Sequence, residues 1–463
     1  MHRPNFALPP LPEPYGSPPG TAAEAFERLR TRLADVGLWT EGQIAGRRWP
    51  IGCVSLEVTQ RCNLDCTLCY LSEHSEAVRD IPLEEVFRRI DLIHAHYGPG
   101  TDVQVSGGDP TLRRRDELVA IVGRIASRDM RASLFTNGIL ATRDLLEELA
   151  EAGLTDVAFH VDLTQGRNGF ATEAALNEVR DRYIERARGL PVSVFFNTTV
   201  FDGNLEEIPD LVRFFASRAD VVRLASFQLQ ADTGRGVLRK RASAVTVQAV
   251  VERIRRGAGT PLDFDAFQVG HPHCNKYAMA WEIGGKLYDA FADREFVRRI
   301  MGRTAELKIP RTSPRAAAFA FLGAVAVKPD LWPSSLKWLL RTAWRARRDL
   351  MASRGRVNKI SFFVHNFMDA CDLDPERLHA CVFMAATQDG PLSMCEYNAR
   401  RDEFLLRPIE LSDATTWNPA THGGAAGAPP AAIYPIKFLK GRSRVTALSA
   451  RHRGKGRFPR ESR

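Results

Sequence analysis

Cys62-Asn63-Leu64-Asp65-Cys66-Thr67-Leu68-Cys69 sets three thiols on one short loop, directly after the first predicted strand at 54–58. Thiolates hold iron–sulfur clusters, and a four-iron cubane given only three cysteines keeps one iron without a protein ligand. Such an iron can bind and reduce a small molecule, whereas a site closed by four cysteines chiefly transfers electrons. Zinc competes for the same loop, but structural zinc takes four ligands and commonly shows two CxxC pairs. A lone CxxxCxxC also arises by chance, so its surroundings must decide.

Working outward, short β-rich runs alternate with stretches of helical period. Strands are predicted at 54–58, 103–106, 132–135, 156–161, 192–199 and 221–227. Between the first two, Leu83, Val86, Ile90, Ile93 and Tyr97 recur at three- and four-residue steps, one face of an amphipathic helix. Six strands with five intervening helices predict an α/β fold, a parallel array curled by right-handed crossovers into a partial or complete barrel. Chemistry then belongs at the C-terminal strand ends. That rim carries Ser106-Gly107-Gly108-Asp109-Pro110-Thr111 after the second strand, Thr136-Asn137-Gly138 after the third, Asp162 after the fourth and Asn197-Thr198 on the fifth. Singly these are turn or cap residues; recurring behind a three-cysteine loop, they point to a ligand site.

On these residues the chain resembles the radical S-adenosylmethionine (SAM) superfamily over roughly residues 50 to 230. The resemblance implies a partial (β/α)6 TIM-type barrel and reductive cleavage of SAM to a 5′-deoxyadenosyl radical. Cys62, Cys66 and Cys69 match the cluster motif. Ser106 to Pro110 resembles the family's Gly-Gly-Glu-Pro turn, which binds the SAM amino group, with Asp109 one methylene shorter than the usual Glu. Asn137, Asp162 and Asn197 are the further SAM-contact candidates, and Leu68 stands where many members have an aromatic.

Of the remaining five cysteines among eight, Cys53 sits inside the first strand and reads as a small apolar packing residue. Cys274, Cys371, Cys381 and Cys395 are enough for a second, fully ligated [4Fe–4S] cluster; four unrelated buried thiols is the alternative. His271 and His273 precede Cys274 in a turn and are read as surface or capping residues. From Phe367-Met368-Asp369-Ala370 through Asp374-Pro375-Glu376-Arg377 and Asp389-Gly390 to Cys395-Glu396-Tyr397-Asn398, the chain is similar to a narrower radical SAM subgroup. That subgroup holds archaeal tetraether lipid synthases and relatives labelled hydroxymethylpterin methyltransferases. Two departures stand out. Residues 1–50 contain no cysteine, and eight cysteines cannot supply the clusters of the tetraether enzymes. A simpler modification at an unactivated C–H is therefore expected over the joining of two lipid tails.

The chain has 463 residues and a formal net charge of +9, so the location of the charge matters more than its sum. No run of eighteen apolar residues exists, the stretch 316–327 being too short, and no transmembrane helix is expected. No secretory signal is apparent at Met1-His2-Arg3-Pro4-Asn5, so the thiols are expected in a reducing cytoplasm. At 333–351, Lys337, Arg341, Arg345 and Arg348 share one helical face, with Leu336, Leu339, Leu340, Ala343 and Leu350 opposite and Trp338 and Trp344 near the borders. That is the make-up of an interfacial helix; a solvated helix on a core fits equally.

The expected organisation is an N-terminal extension (1–50), a radical SAM core (51–230), a mainly helical, Cys-containing C-terminal region (231–411) and a disordered basic tail (412–463). The expected substrate is lipid-like, with a pterin-like molecule or a peptide as the alternative. An Fe–S electron-transfer or nucleic-acid-binding protein is the alternative of another class. Expected partners are an electron donor such as ferredoxin or flavodoxin and the inner face of the membrane, without nucleic acid.

Overall fold

In the computed structural model, residues 21–238, 244–310 and 313–419 are described; most of the expected basic tail lies outside them. The chain opens with α1 (Ala22–Asp35), started by a reciprocal Thr21–Glu24 capping box. Six parallel strands follow in sheet order: β1 (Cys53–Thr59), β2 (Asp102–Gly107), β3 (Arg131–Thr136), β4 (Leu154–His160), β5 (Ser193–Val200) and β6 (Val222–Leu229). Helices α2 (Leu83–Tyr97), α3 (Arg115–Ser127), α4 (Arg143–Glu151), α5 (Asn177–Ala187) and α6 (Ile208–Ala216) alternate with them. Every residue of β1 is buried, as expected of a parallel strand covered on both faces.

The C-terminal region is mainly helical, as expected, and also adds strands. It supplies α7 (Val247–Ala258), then β7 (Asn275–Ile283), β8 (Lys286–Asp289), α8 (Arg294–Arg303), α9 (Pro314–Ala326), α10 (Trp332–Ala352) and β9 (Asn358–His365). It ends in α11 (Pro375–His379), β10 (Phe383–Thr387), β11 (Gly390–Ser393), α12 (Met394–Ala399) and α13 (Arg401–Leu405). Five of these are strands of the same sheet, whose order is β11-β10-β1-β2-β3-β4-β5-β6-β9-β7-β8. β10 pairs parallel with β1 and β9 parallel with β6, so eight consecutive strands run in one direction. The expected boundary at residue 230 thus cuts through one continuous sheet.

The sheet has free edges at β11 and β8, yet it is strongly curled. Phe383 on β10 meets Phe363 and His365 on β9 at ring-centroid distances of 6.1 and 4.8 Å, although six strands separate the two in the sheet. A partial barrel whose ends meet through aromatic side chains is the result. All eight parallel strands deliver their C-terminal ends to one rim.

The N-terminal segment is fastened to the C-terminal one. Arg32 of α1 donates to the carbonyls of His379 and Cys381 at 2.8 and 2.9 Å, and buried Gln43 exchanges hydrogen bonds with the backbone of Gly270.

Candidate active site

The three-cysteine loop leaves β1 at the rim and is tied down at both ends. Gly108 and Asp109 donate their backbone N–H groups to the carbonyls of Thr59 and Arg61 at 2.9 and 2.8 Å. A Cβ on either Gly107 or Gly108 would lie 2.0 Å from those same two oxygens, and Gly107 also has φ +122°. The glycines are required by this close approach of the β2 turn to the cysteine loop. On the far side, the Tyr70 hydroxyl donates to the Gly107 carbonyl.

Cys62, Cys66 and Cys69 are half-buried and lie within one another's electrostatic field. Burial pushes the Cys62 thiol up to about 11, with Asp109 and Cys69 adding to the rise and a Leu64 backbone bond and Arg235 opposing it. Cys66 is pushed well above its ordinary value by burial, then by Cys69, Asp162 and Cys62. Thiols as unwilling to ionise alone as Cys62 and Cys66 suit a cationic metal group, which holds its coordinating sulfurs deprotonated. Among the described residues, no three His, Cys, Asp or Glu side chains close on a position for a single ion. A four-iron cluster is bulkier than one ion and takes its ligands from a wider ring. The donor set, three soft thiolates, fits it. Hydrogen-bond donors also reach two of the sulfurs: Arg235 Nη2 lies 3.1 Å from Cys69 Sγ, and Asn137 Nδ2 lies 3.9 Å from Cys62 Sγ.

The rim residues arrive where the sequence places them, but two carboxylates face inward. Asp109 is fully buried. Its oxygens accept from Thr111 N at 3.0 Å, the Thr111 hydroxyl, the Thr136 hydroxyl at 2.9 and 3.0 Å, and Asn137 N at 2.8 Å. Burial raises its pKa despite these bonds. This carboxyl clamps the end of β2 to the end of β3. Asp162, also fully buried, accepts from His160 Nε2 (2.7 Å), Thr164 N (2.9 Å) and Thr199 N (2.7 Å). Burial would raise its pKa, but His160 and these donors hold it at about 2. Ser106 shares a hydrogen bond with Ser55 at 2.6 Å, Asn197 lies 3.4 Å from Gln228 Oε1, and Pro110 starts a short 3-10 turn.

Residues 56–215 match the radical SAM superfamily model. The chain carries a radical SAM domain. Members of that superfamily use a [4Fe–4S] cluster and SAM, and the three-cysteine loop and the rim turns of β2 to β5 fall inside the match. Among curated relatives, a Methanocaldococcus jannaschii protein named 7,8-dihydro-6-hydroxymethylpterin dimethyltransferase is 30% identical over 190 residues, 39% of this chain and 37% of the relative. A Methylobacterium protein named PqqA peptide cyclase is 28% identical over 185 residues, 37% of this chain and 46% of the relative. The chain therefore aligns with less than half the length of either. Among solved structures, Streptococcus suis SuiB bound to precursor peptide SuiA superposes with a TM-score of 0.33 at 16% identity, covering 50% of this chain and 48% of that one.

Beyond the radical SAM match, a second set of thiols gathers. Cys274 precedes β7, Cys381 follows α11 and Cys395 lies in α12. Burial pushes Cys274 up to about 11, opposed by Arg377 and reinforced by Cys381; Cys395 is raised by burial, then by Cys381 and, more weakly, Cys274. Arg377 Nε donates to Cys274 Sγ at 3.2 Å and Met368 N to Cys395 Sγ at 3.4 Å. Cys371 is exposed, and the interactions linking the other three do not include it. Of the four expected ligands of a second cluster, three lie within electrostatic reach of one another. Cys53 is buried in β1, as expected. His271, expected as a surface or capping residue, is buried, accepts from His273 N at 3.2 Å through Nδ1 and sits 3.5 Å from Glu376.

Sequence reasoning missed Arg235, which approaches from the short turn Gly234–Leu238 after β6. It also missed the buried Glu57–Arg401 pair beneath the loop. An arginine in a loop carries no signal of its own. A cleft of about 610 Å³ lies apart from both thiol groups, along Thr260–Asp263, Tyr288 and Arg345.

Proposed function

We propose that this chain reductively cleaves SAM and uses the resulting radical to take hydrogen from an unactivated carbon of a lipid-like substrate. The observation that carries the reading is the convergence of Cys62, Cys66 and Cys69 at the C-terminal rim of a curled parallel sheet, within the span matched to the radical SAM superfamily. A [4Fe–4S] cluster held by those thiols would supply one electron to SAM, giving methionine and a 5′-deoxyadenosyl radical that becomes 5′-deoxyadenosine on taking a hydrogen atom. This chain's residues do the positioning. Arg235 and Asn137 place N–H groups toward the sulfurs, and Asp109 and Asp162 hold the β2–β5 turns in register. The backbone of Ser106 to Pro110 and the side chains of Asn137 and Asn197 are the proposed SAM contacts. Cys274, Cys381 and Cys395 are the proposed holders of a second cluster, and a ferredoxin or flavodoxin the proposed electron donor.

For the substrate, Phe363, Phe367 and Phe383 pack around His365 where β9 and β10 meet, an aromatic cluster that supports a lipid-like molecule. A pterin-like substrate is the second reading, supported by the name of the Methanocaldococcus relative. Reconstituted protein with dithionite is expected to convert SAM to 5′-deoxyadenosine, and Cys66→Ala to abolish it; substantial turnover in that variant would sink the proposal. Mass spectrometry of lipids and small metabolites after deletion of the gene separates the two substrates.

A further inference from the structure

Helix α9 has the wrong surroundings for its composition. After Pro314 and Arg315 it reads Ala316-Ala317-Ala318-Phe319-Ala320-Phe321-Leu322-Gly323-Ala324-Val325-Ala326, apolar around its whole circumference. A helix of that kind is found buried in a protein core or in a membrane. Here none of its described side chains is buried. Phe319 is 73% exposed and Leu322 62%, while Phe321 and Val325 are its anchors on the protein body. At ~1.5 Å per residue its thirteen residues reach ~20 Å, short of the ~30 Å of a bilayer's hydrocarbon. It can lie in an interface but not cross it, and no described helix is long and apolar enough to cross.

Helix α10 continues the same surface. Only a three-residue turn, Pro329–Leu331, separates it from α9, and Trp332 Nε1 donates to the Val325 carbonyl at 3.2 Å. Trp332, Leu336, Leu340 and Trp344 follow at four-residue steps, each exposed, with Leu339 beside them. Leu336, Leu339 and Leu340 thus face water and do not pack on a core. α10 is held from its other side, by Trp338 stacked on Phe296 at 5.4 Å, by buried Ala346, and by Asp349 bonded to Lys286 and Tyr288.

Charge decides what covers this surface. Lys337, Arg341, Arg345 and Arg348 run beside the ridge, and Arg315 and Lys328 flank α9. Acids nearby are engaged elsewhere, Asp330 by Arg303 and Asp349 by Lys286. Arg341 is 3.5 Å from Asp293. A symmetric contact with a second copy would set these basic rows against themselves. An anionic bilayer offers hydrocarbon to the ridge and negative headgroups to the cations.

We propose that α9 and α10 together dock this protein in the plane of an anionic phospholipid membrane, with Phe319, Leu322, Leu336 and Leu340 inserted. The inference rests on these two helices and not on the radical chemistry. The full chain should sediment with phosphatidylglycerol–phosphatidylcholine vesicles at low salt and less so at high salt. Phe319→Asp/Leu322→Asp and Leu336→Asp/Leu340→Asp should each raise the lipid concentration for half-binding by about tenfold or more. All four positions are exposed, so thermal unfolding should be unchanged in both variants. Lipids brominated in the acyl chain should quench tryptophan fluorescence, and Trp332→Phe/Trp344→Phe should remove most of that quenching. A wild type left in the supernatant overturns the proposal, as does sedimentation indifferent to the aspartates or the absence of quenching. Vesicle-independent dimers abolished by the same substitutions would overturn it in favour of a second copy. SAM cleavage in detergent-free solution should be equal in all variants, so failure there falls on the proposed function and not on docking.

Discussion

Replacing Arg401 by methionine should destabilise this protein by about 3–5 kcal/mol at neutral pH, the range for stripping one partner from a buried ion pair. Arg401 Nη1 lies 2.5 Å from Glu57 Oε1, and both side chains are at least 94% buried. The second Glu57 oxygen accepts from Tyr397 (3.0 Å) and Gln60 (2.9 Å), and the guanidinium lies 4.8 and 4.7 Å from the rings of Tyr70 and Tyr397. Burial alone would push the Glu57 pKa up; the charge of Arg401 and the three hydrogen bonds reverse this and hold it below the usual carboxylate range. Methionine keeps the bulk and removes the cation, leaving a carboxylate that must stay charged in a dry site or take up a proton. The contribution of a depressed carboxylate is full above its unfolded pKa, about 4.3, and is lost as pH falls through the lower folded value. The gap between wild type and Arg401→Met in urea unfolding should therefore be widest above pH 5 and shrink in acid. Glu57→Gln/Arg401→Met should recover most of the loss, because the uncompensated charge is gone. A loss below about 1 kcal/mol at pH 7, or a gap that widens on acidification, would refute the reasoning.

Two further outcomes follow from the site. Gly108→Ala places a Cβ 2.0 Å from the Arg61 carbonyl, so the β2 turn must move off the cysteine loop and iron uptake on reconstitution should fall, whereas Gly123→Ala in α3, with nothing within 4 Å, should keep full uptake and gain up to ~1 kcal/mol. With both clusters filled the chain should carry about eight irons; replacing Cys274, Cys381 and Cys395 together should halve that and leave the SAM-cleaving iron, while Cys371→Ser should leave iron content unchanged.

The strands that were legible share one physical cause. β1 to β6 are largely buried, so each reads as a short β-rich run closed by a polar turn, and each lies within a few residues of its predicted place. β7 gave no such signal. Asn275–Ile283 is partly exposed at five of its nine positions and mixes Lys276, Trp281 and Glu282 into a strand antiparallel to both its neighbours. β10 hides in Phe383-Met384-Ala385-Ala386-Thr387, too short and alanine-rich to stand out between two cysteines, yet it completes the rim beside β1. Asp109 and Asp162 show a different limit. Their positions at the strand ends were readable, but an aspartate two residues before a threonine also makes a side-chain-to-backbone turn, and it is this local bond that turned both carboxylates inward.

The same pairings bear on how the two thiol groups are related. Cys395 lies in α12, and six residues later Arg401 opens α13 and grips Glu57 of β1. Five residues beyond Glu57 is Cys62. Tyr70, next to Cys69, faces the same guanidinium and donates to Gly107 of β2. From the other side, Arg32 of α1 holds the Cys381 carbonyl, and Asn366 N, just past the end of β9, donates to the Cys274 carbonyl. Each thiol of the second group is thus fastened near the rim that presents the first, by hydrogen bonds and ion pairs rather than by a linker. A mobile auxiliary domain would have kept its polar contacts to itself and left Glu57, buried beneath the cysteine loop, without a cation. The C-terminal segment instead supplies that cation, so the separation of the two groups is set by the sheet, and loosening Arg401 should disturb both at once.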